Sequence, residues 1–264
     1  MFIPVDLNQS KNINFKMSIH IPIAKPPFTK LGKSIESACR KALYDFEMLE
    51  SVKNLVIALS GGKDSLTMLY MLSAINGLGF PKINLHAVHV AGEYSCGAGV
   101  DQNFLRAICK ELDIPLIVRN SNQSKENLNC YNCSRDRRKI LFDAAKEVGA
   151  CTVAFGHHRD DSIQTLLMNL FHKGEFAANL AKIKMVDYKI KIIRPLIYIS
   201  EKDILNFAKL HKFLKITCQC PIGQNSVRKK TELILRDLEM QFPNIRKNLF
   251  HASLIYGSNK AEKA

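Results

Sequence analysis

The stretch Leu55-Val56-Ile57-Ala58-Leu59-Ser60-Gly61-Gly62-Lys63-Asp64-Ser65-Leu66 decides the fold. A short apolar run, the length of a buried strand, leads straight into Ser-Gly-Gly, and a helical pattern starts at once at Asp64. Glycines without a Cβ let backbone N–H groups converge on an anion, and the N-terminus of the following helix adds partial positive charge. A turn that is merely Gly-rich has no use for Lys63 and the two serines Ser60 and Ser65. The pattern is not the common nucleoside-triphosphate loop G-x-x-x-x-G-K-[ST]: Ile57 stands at its first Gly position and Asp64 follows the lysine. A different phosphate chemistry is implied.

Outward from this loop the chain alternates. Leu55 to Leu59, Leu85 to Val90, Pro115 to Val118 and Thr152 to Phe155 read as buried strands. Asp64 to Ile75, Gln102 to Leu112 and Arg137 to Val148 have apolar residues at helical spacing. The reading is an α/β fold, a doubly wound parallel sheet with helices on both faces, closed by a small C-terminal helical segment. An amphipathic helix from about Ser34 to Leu49 precedes the first strand, and another runs from Asp161 to Phe171. Val186 to Ile193 reads as one strand, and Ser200-Glu201-Lys202-Asp203 as a capping box that opens a helix through Leu210. Arg228 to Met240 and Pro243 to Ile255 are helical. The expected division is an irregular arm over 1–30, an ATP-binding α/β domain over 31–215 and a C-terminal segment over 216–264.

A second signature, Phe155-Gly156-His157-His158-Arg159-Asp160-Asp161, ends a later strand and so faces the same carboxyl edge of the sheet, where open α/β sheets bind ligands. Paired carboxylates beside two histidines suit metal binding or proton transfer; a helix start with Asp as N-cap explains the string equally well.

Ser60 to Ser65 after such a strand resembles the PP-loop ATP pyrophosphatase superfamily, of HUP-like fold, whose members split ATP between its α and β phosphates. The resemblance implies an ATP site made by Ser60, Gly61, Gly62, Lys63, Asp64, Ser65, His157, Asp160 and Asp161, with Asp64 and Asp161 catalytic and holding Mg²⁺. The run from Gly156 to Phe176 is similar to the tRNA 2-thiocytidine synthetase branch. So are Cys130-Tyr-Asn-Cys133-Ser-Arg-Asp-Arg-Arg138, Ile193-Arg194-Pro195-Leu196, Ser200 to Ile204 and Phe242 to Arg246. That likeness spans roughly Lys33 to Ile255, the motifs in family order. Ala91 to Gly99 has no close counterpart.

The chain has eight cysteines and no targeting signal is visible, so a cytosolic, reducing compartment is expected and a disulfide framework is not. Cys39, Cys96, Cys109 and Cys151 are scattered and read as small apolar residues. Cys130/Cys133 and Cys218/Cys220 form tight pairs, for which redox, zinc and iron–sulfur chemistry are all open, and spacing alone favours zinc. The resemblance instead implies a [4Fe-4S] cluster on three cysteines, and Cys130 and Cys133 match two of them. In strict register Cys218 matches the first cysteine of the family's second pair, while Pro221 stands at the ligand position. Cys220, one residue away, is taken as the third ligand, with Cys218 as the fallback.

With 38 Lys and Arg against 24 Asp and Glu, the chain carries +14 and has a pI near 9.4. Such an excess favours an anionic partner. Its 264 residues, 47% hydrophobic and 23% charged, are globular in composition, which excludes a disordered or fibrous protein. No apolar run approaches the roughly 20 residues of a spanning helix. Arg135, Arg137, Arg138 and Lys139 follow the first cysteine pair and Arg228, Lys229 and Lys230 the second; they are the candidate RNA contacts. The resemblance implies a tRNA cytidine opening the anticodon loop as substrate, ATP as activator, a sulfur donor such as a cysteine desulfurase, and a homodimer. Competing readings are tRNA lysidine synthetase, a 2-thiouridine-forming relative, and a zinc-stabilised RNA-binding protein without turnover.

Overall fold

Asn54–Ala58 (β1) lies in the middle of a six-stranded sheet because its side chains are apolar toward both faces. Leu55 and Ile57 face one buried cluster and Val56 the other. The computed structural model describes residues 21–92, 99–121, 130–213 and 227–257. The remaining strands are β2 (Asn84–Ala91), β3 (Leu116–Asn120), β4 (Thr152–Ala154), β5 (Lys182–Met185) and β6 (Ile190–Ile193), in the order β3-β2-β1-β4-β6-β5. β1 pairs in parallel with β2 (Leu55 opposite Leu85) and with β4 (Ile57 opposite Ala154). Strand order therefore reverses between β1 and β4, the switch point at which such sheets open a crevice.

On the first face, α1 (Lys30–Asp45), α2 (Lys63–Ile75), α3 (Gln102–Glu111) and α6 (Glu201–Leu210) bury Ile35, Leu43, Leu69, Ile108, Ile204 and Phe207. On the second face, α4 (Cys130–Glu147) packs Leu141, Phe142, Ala144 and Ala145 on Val56, Val88, Val90 and Val153. α7 (Val227–Gln241) and α8 (Ile245–Ile255) pack on α5 (Arg159–Lys173), and their Leu235 and Phe250 belong to the first cluster. Helices thus cover both faces, as expected. Among the described residues no helix is long and apolar enough to cross a membrane.

Two local expectations need correction, the start of α1 and the strand over Val186 to Ile193. Helix α1 starts at Lys30 and not near Ser34, because the Thr29 hydroxyl accepts the Gly32 N–H as N-cap. Within the N-terminal arm, residues 21–29 are irregular but packed: Ala24 and Phe28 are buried and the Tyr70 hydroxyl donates to the Pro22 carbonyl at 2.9 Å. The second is Val186 to Ile193, which is half of a hairpin. Val186–Tyr188 forms a 3₁₀ turn, Lys189 takes φ +53°, and the preceding β5 runs antiparallel to β6. The alternation Lys182-Ile183-Lys184-Met185 puts lysines on one side and apolar groups against the second cluster, so the Lys-rich composition hid an edge strand. The sheet is accordingly mixed.

Of the scattered cysteines, Cys39 and Cys109 are buried, and burial pushes their thiols up to about 12 and about 11, so both are inert. Cys151 is exposed, and Cys96 lies outside the described residues.

Phe142 anchors the second cluster and packs on Tyr188 with ring centroids 5.1 Å apart. Phe142→Ala is expected to cost about 3–5 kcal/mol, read as a lower urea midpoint at unchanged m-value.

Candidate active site

At the carboxyl end of β1 the chain enters the loop with Gly61 at φ +84°, which a side chain would strain. Gly62 is the N-cap of α2 and offers no side-chain cap, so the first-turn N–H groups of α2 remain available to an anion. Ser65 Oγ donates to the Gly62 carbonyl at 3.0 Å, and Ser60 Oγ, 3.0 Å from Ser65 Oγ, accepts the Gly62 N–H at 3.3 Å. The loop is pre-formed by its own serines. Lys63 Nζ lies 2.9 Å from Asp64 Oδ1 and 3.2 Å from Glu201 Oε1 at the start of α6. Burial alone would lower the Lys63 ammonium, but these two carboxylates outweigh it and raise it, so the lysine stays charged.

Gly156, on the exit from β4, lies against the first turn of α2. A Cβ there would stand 3.0 Å from Ser65 N and 3.1 Å from Asp64 C, tighter than ordinary contact, so any other residue would require the α2 backbone to give by a few tenths of an ångström. The next residues split in role. His157 stacks on Phe155 (5.7 Å, 16°) and its Nδ1 accepts from Arg194 Nε at 3.3 Å. Burial, then the Arg194 charge, pushes its imidazole down to about 3. The buried His158 caps α5: its Nδ1 accepts the Asp161 N–H at 3.4 Å and its own N–H donates to Asp161 Oδ2 at 3.1 Å. With Nδ1 used as acceptor, the ring proton sits on Nε2, 3.6 Å from Asp64 Oδ1 and 3.4 Å from Asp161 Oδ2. His158 therefore joins the two carboxylates that the sequence reading paired. That reading chose His157; the i, i+3 spacing to Asp161 was the available signal for His158.

Asp161 Oδ1 is held by Arg228 of α7. Burial would raise the Asp161 carboxyl, but His158, His157 and Arg228 override it and hold it below its ordinary value. Asp160 is different. Its Oδ2 accepts the Glu201 N–H at 2.8 Å and its Oδ1 meets Arg246 at 3.0 Å, so both oxygens are already used by the fold. Arg246 also binds Glu232 at 2.8 Å and Glu239 at 2.8 Å, and Gln164 donates to Glu232 at 2.9 Å. This network ties α5, α6, α7 and α8 together, and no single-sequence pattern announced it.

Cys133 is half-buried near the start of α4, and positions 130 and 133 fall on one helical face. Cys218 and Cys220 lie outside the described residues, as do residues 93–98 of the unusual loop. Arg137 reaches the Val90 carbonyl at 3.4 Å at the carboxyl end of β2, and Arg138 is close enough to Arg194 to repel it. The first half of α4 thus stands over the same edge as the phosphate loop. Arg135, Arg138 and Lys139 are exposed on α4, and Lys229 and Lys230 are exposed on α7. Arg228, grouped in sequence with those charges, turns inward instead.

A buried strand running into an uncapped helix, with paired acids in the first turn of the helix that follows the adjacent strand, defines an α/β protein of the PP-loop class, and the PP-loop domain family matches residues 29–216. Proteins named tRNA-cytidine(32) 2-sulfurtransferase are similar to the chain. That of Paraburkholderia phytofirmans is 34% identical over 84% of this chain and 68% of its own length. That of Cupriavidus necator is 36% identical over 85% and 74%, and that of Acinetobacter baumannii 33% over 96% and 84%. The chain belongs to the tRNA-cytidine(32) 2-sulfurtransferase family. The solved structure of U34-tRNA thiolase NcsA from Methanococcus maripaludis with its [4Fe-4S] cluster is similar at a TM-score of 0.67 and 26% identity, over 84% of this chain and 78% of that one.

Two predictions follow from the geometry. Gly156→Ala is expected to push α2 away and weaken ATP binding by about tenfold or more in calorimetry, a cost of about 1.4 kcal/mol. His157 has its folded pKa below its unfolded value, so the unfolded state binds the extra proton and stability falls as pH drops from about 6.5 toward about 3. In His157→Gln the urea midpoint is expected to fall less between about pH 6.5 and about pH 4.5 than in the parent, the two slopes agreeing above that window.

Proposed function

We propose that the chain is an ATP-dependent tRNA-cytidine 2-sulfurtransferase. The observation that carries the reading is the meeting of the phosphate loop, Asp64 and Asp161 through His158 and Gly156 at one sheet edge, with the cysteine-bearing end of α4 above it. The ATP-binding unit spans 31–215, and 216–264 closes its site.

Ser60, Gly61, Gly62, Ser65 and the first-turn N–H groups of α2 grip the leaving pyrophosphate, with Lys63 neutralising it. Asp64 and Asp161 fit Mg²⁺, which usually takes one or two carboxylates together with substrate phosphates; when bound it neutralises charge on them. The C2 oxygen of the cytidine attacks the α-phosphorus, forming a C–O–P link as pyrophosphate leaves. Sulfur then adds to C2, the C–O bond breaks, and AMP departs with the oxygen. The protein's part is orientation and charge compensation. Cys130, Cys133 and Cys220, with Cys218 as fallback, suit a [4Fe-4S] cluster, which when bound supplies a site for the incoming sulfur. Cys133 is half-buried, as a residue holding such a group would be.

Arg135, Arg137, Arg138, Lys139, Lys229 and Lys230 supply the field for tRNA, and the target base is splayed from its single-stranded loop to reach the edge. A cysteine desulfurase or a persulfide carrier supplies sulfur, the enzyme acts in the cytoplasm, and it works as a homodimer.

Lys63→Ala is expected to abolish pyrophosphate release in the presence of tRNA, and Cys130→Ala to abolish thiolation while ATP still binds. Full thiolation by Cys130→Ala would remove the cluster from the mechanism, and a colourless, zinc-only protein after anaerobic purification would do the same. Nucleoside analysis of tRNA from cells lacking the gene is expected to show loss of 2-thiocytidine; loss of lysidine or 2-thiouridine would reassign the base chemistry.

A further inference from the structure

One ion pair in the site occupies a carboxylate that the proposed function gives to the metal nucleotide. Arg228, in the first turn of α7, puts a guanidinium nitrogen on Asp161 Oδ1. The other oxygen of Asp161 accepts the His158 N–H at 3.1 Å as part of the α5 cap, so Oδ1 is the oxygen that Arg228 engages. Asp161 is 14% exposed and Arg228 is 43% exposed: the acid is fixed in the wall, and the base reaches in from the solvent side.

The helix behind Arg228 is anchored. Glu232, one turn further along α7, is bound by Arg246 and by Gln164 of α5, and Arg246 extends to Asp160, next to Asp161. What is left free to swing is the Arg228 side chain. A divalent cation delivered with ATP repels a guanidinium seated on the same carboxylate oxygen, so one must leave. The same arrival brings phosphate oxygens, which a planar guanidinium binds in bidentate fashion.

We propose that Arg228 is an exchangeable counter-ion of the ATP site: it neutralises Asp161 while the site is empty and passes to the phosphates when the metal nucleotide binds. The inference rests on the ATP site proposed above and adds to it a phosphate-binding residue from the C-terminal segment. Because Arg228 follows Cys220 by eight residues, nucleotide occupancy would be felt close to the second cysteine pair.

The test uses the full-length protein, the α,β-methylene analogue of ATP with Mg²⁺ in calorimetry, and Mn²⁺ without nucleotide in electron paramagnetic resonance. In Arg228→Gln, Mn²⁺ alone should bind several-fold more tightly, because its competitor is gone, while the analogue binds roughly tenfold to a hundredfold more weakly, as for a lost charge-assisted hydrogen bond. Arg228→Lys should recover part of the analogue affinity. Opposite shifts of the two affinities are a result that a merely structural role cannot produce. Parallel weakening, or an unchanged analogue affinity, overturns the exchange, whereas a parent protein that binds no analogue overturns the ATP site with it.

Discussion

The active edge depends on the backbone-to-backbone approach of Gly156 to the first turn of α2. It is possible because β1 and β4 are hydrogen-bonded neighbours, so the loops that leave their carboxyl ends emerge side by side. With 3.0 Å between a notional Cβ and Ser65 N, a side chain there would press on the α2 backbone. Asp64 and Asp161 are nearly a hundred residues apart in sequence, yet this contact lets one histidine reach both. The sheet order sets the approach, and a missing side chain completes it.

Charge compensation explains why adjacent aspartates have different fates. Asp160 faces Arg246, a guanidinium that burial would lower but that Glu232, Glu239 and Asp160 hold raised and fixed. Breaking such a pair leaves a buried charge alone, which costs about 3–5 kcal/mol, so Asp160 is committed to joining helices. Asp161 is largely buried in the wall too, but its partner Arg228 is 43% exposed, so this pair has a solvent-facing side that the Asp160–Arg246 pair lacks. On the exchange proposed for Arg228, a ligand displaces the second partner and not the first. Two residues that look equivalent in a string of Arg-Asp-Asp thus differ: one is a brace between helices, and the other is paired with a half-exposed arginine.

The phosphate loop, the alternation of strands and helices, and the second signature were legible because each is local: strand period, glycine, and a cap followed by an apolar run. What escaped was set by partners far away in sequence. Arg228 belongs by sequence to a basic run, but Asp161 draws it inward. β5 was lost in a Lys-rich segment because half its residues face solvent at a sheet edge, and only the hairpin partner Ile190–Ile193 gives its alternation meaning. Gly156 stood in plain view within the motif, yet its importance comes from the α2 backbone opposite. His158 was passed over for its neighbour because both histidines look alike until one is seen to cap a helix and the other to stack on Phe155.

The net charge also divides by location. Lys63, Arg194, Arg228 and Arg246 are spent inside the site on carboxylates, a carbonyl or a histidine. Arg135, Arg138 and Lys139 stay exposed on the first half of α4, while the second half of that helix buries Leu141, Phe142, Ala144 and Ala145. One helix is therefore anchored at its far end and charged at its near end. Its anchor includes Val56, and the residues on either side of Val56, Leu55 and Ile57, pack in the cluster that holds α2. Strand β1 thus serves as the common reference for both: its two faces fix the cysteine-bearing helix and the phosphate-binding helix relative to one another, to within the tolerance of a close-packed core. A reaction that must bring an activated base, a nucleotide and a sulfur source to one point needs that kind of rigid frame, and α/β layering around a single central strand provides it.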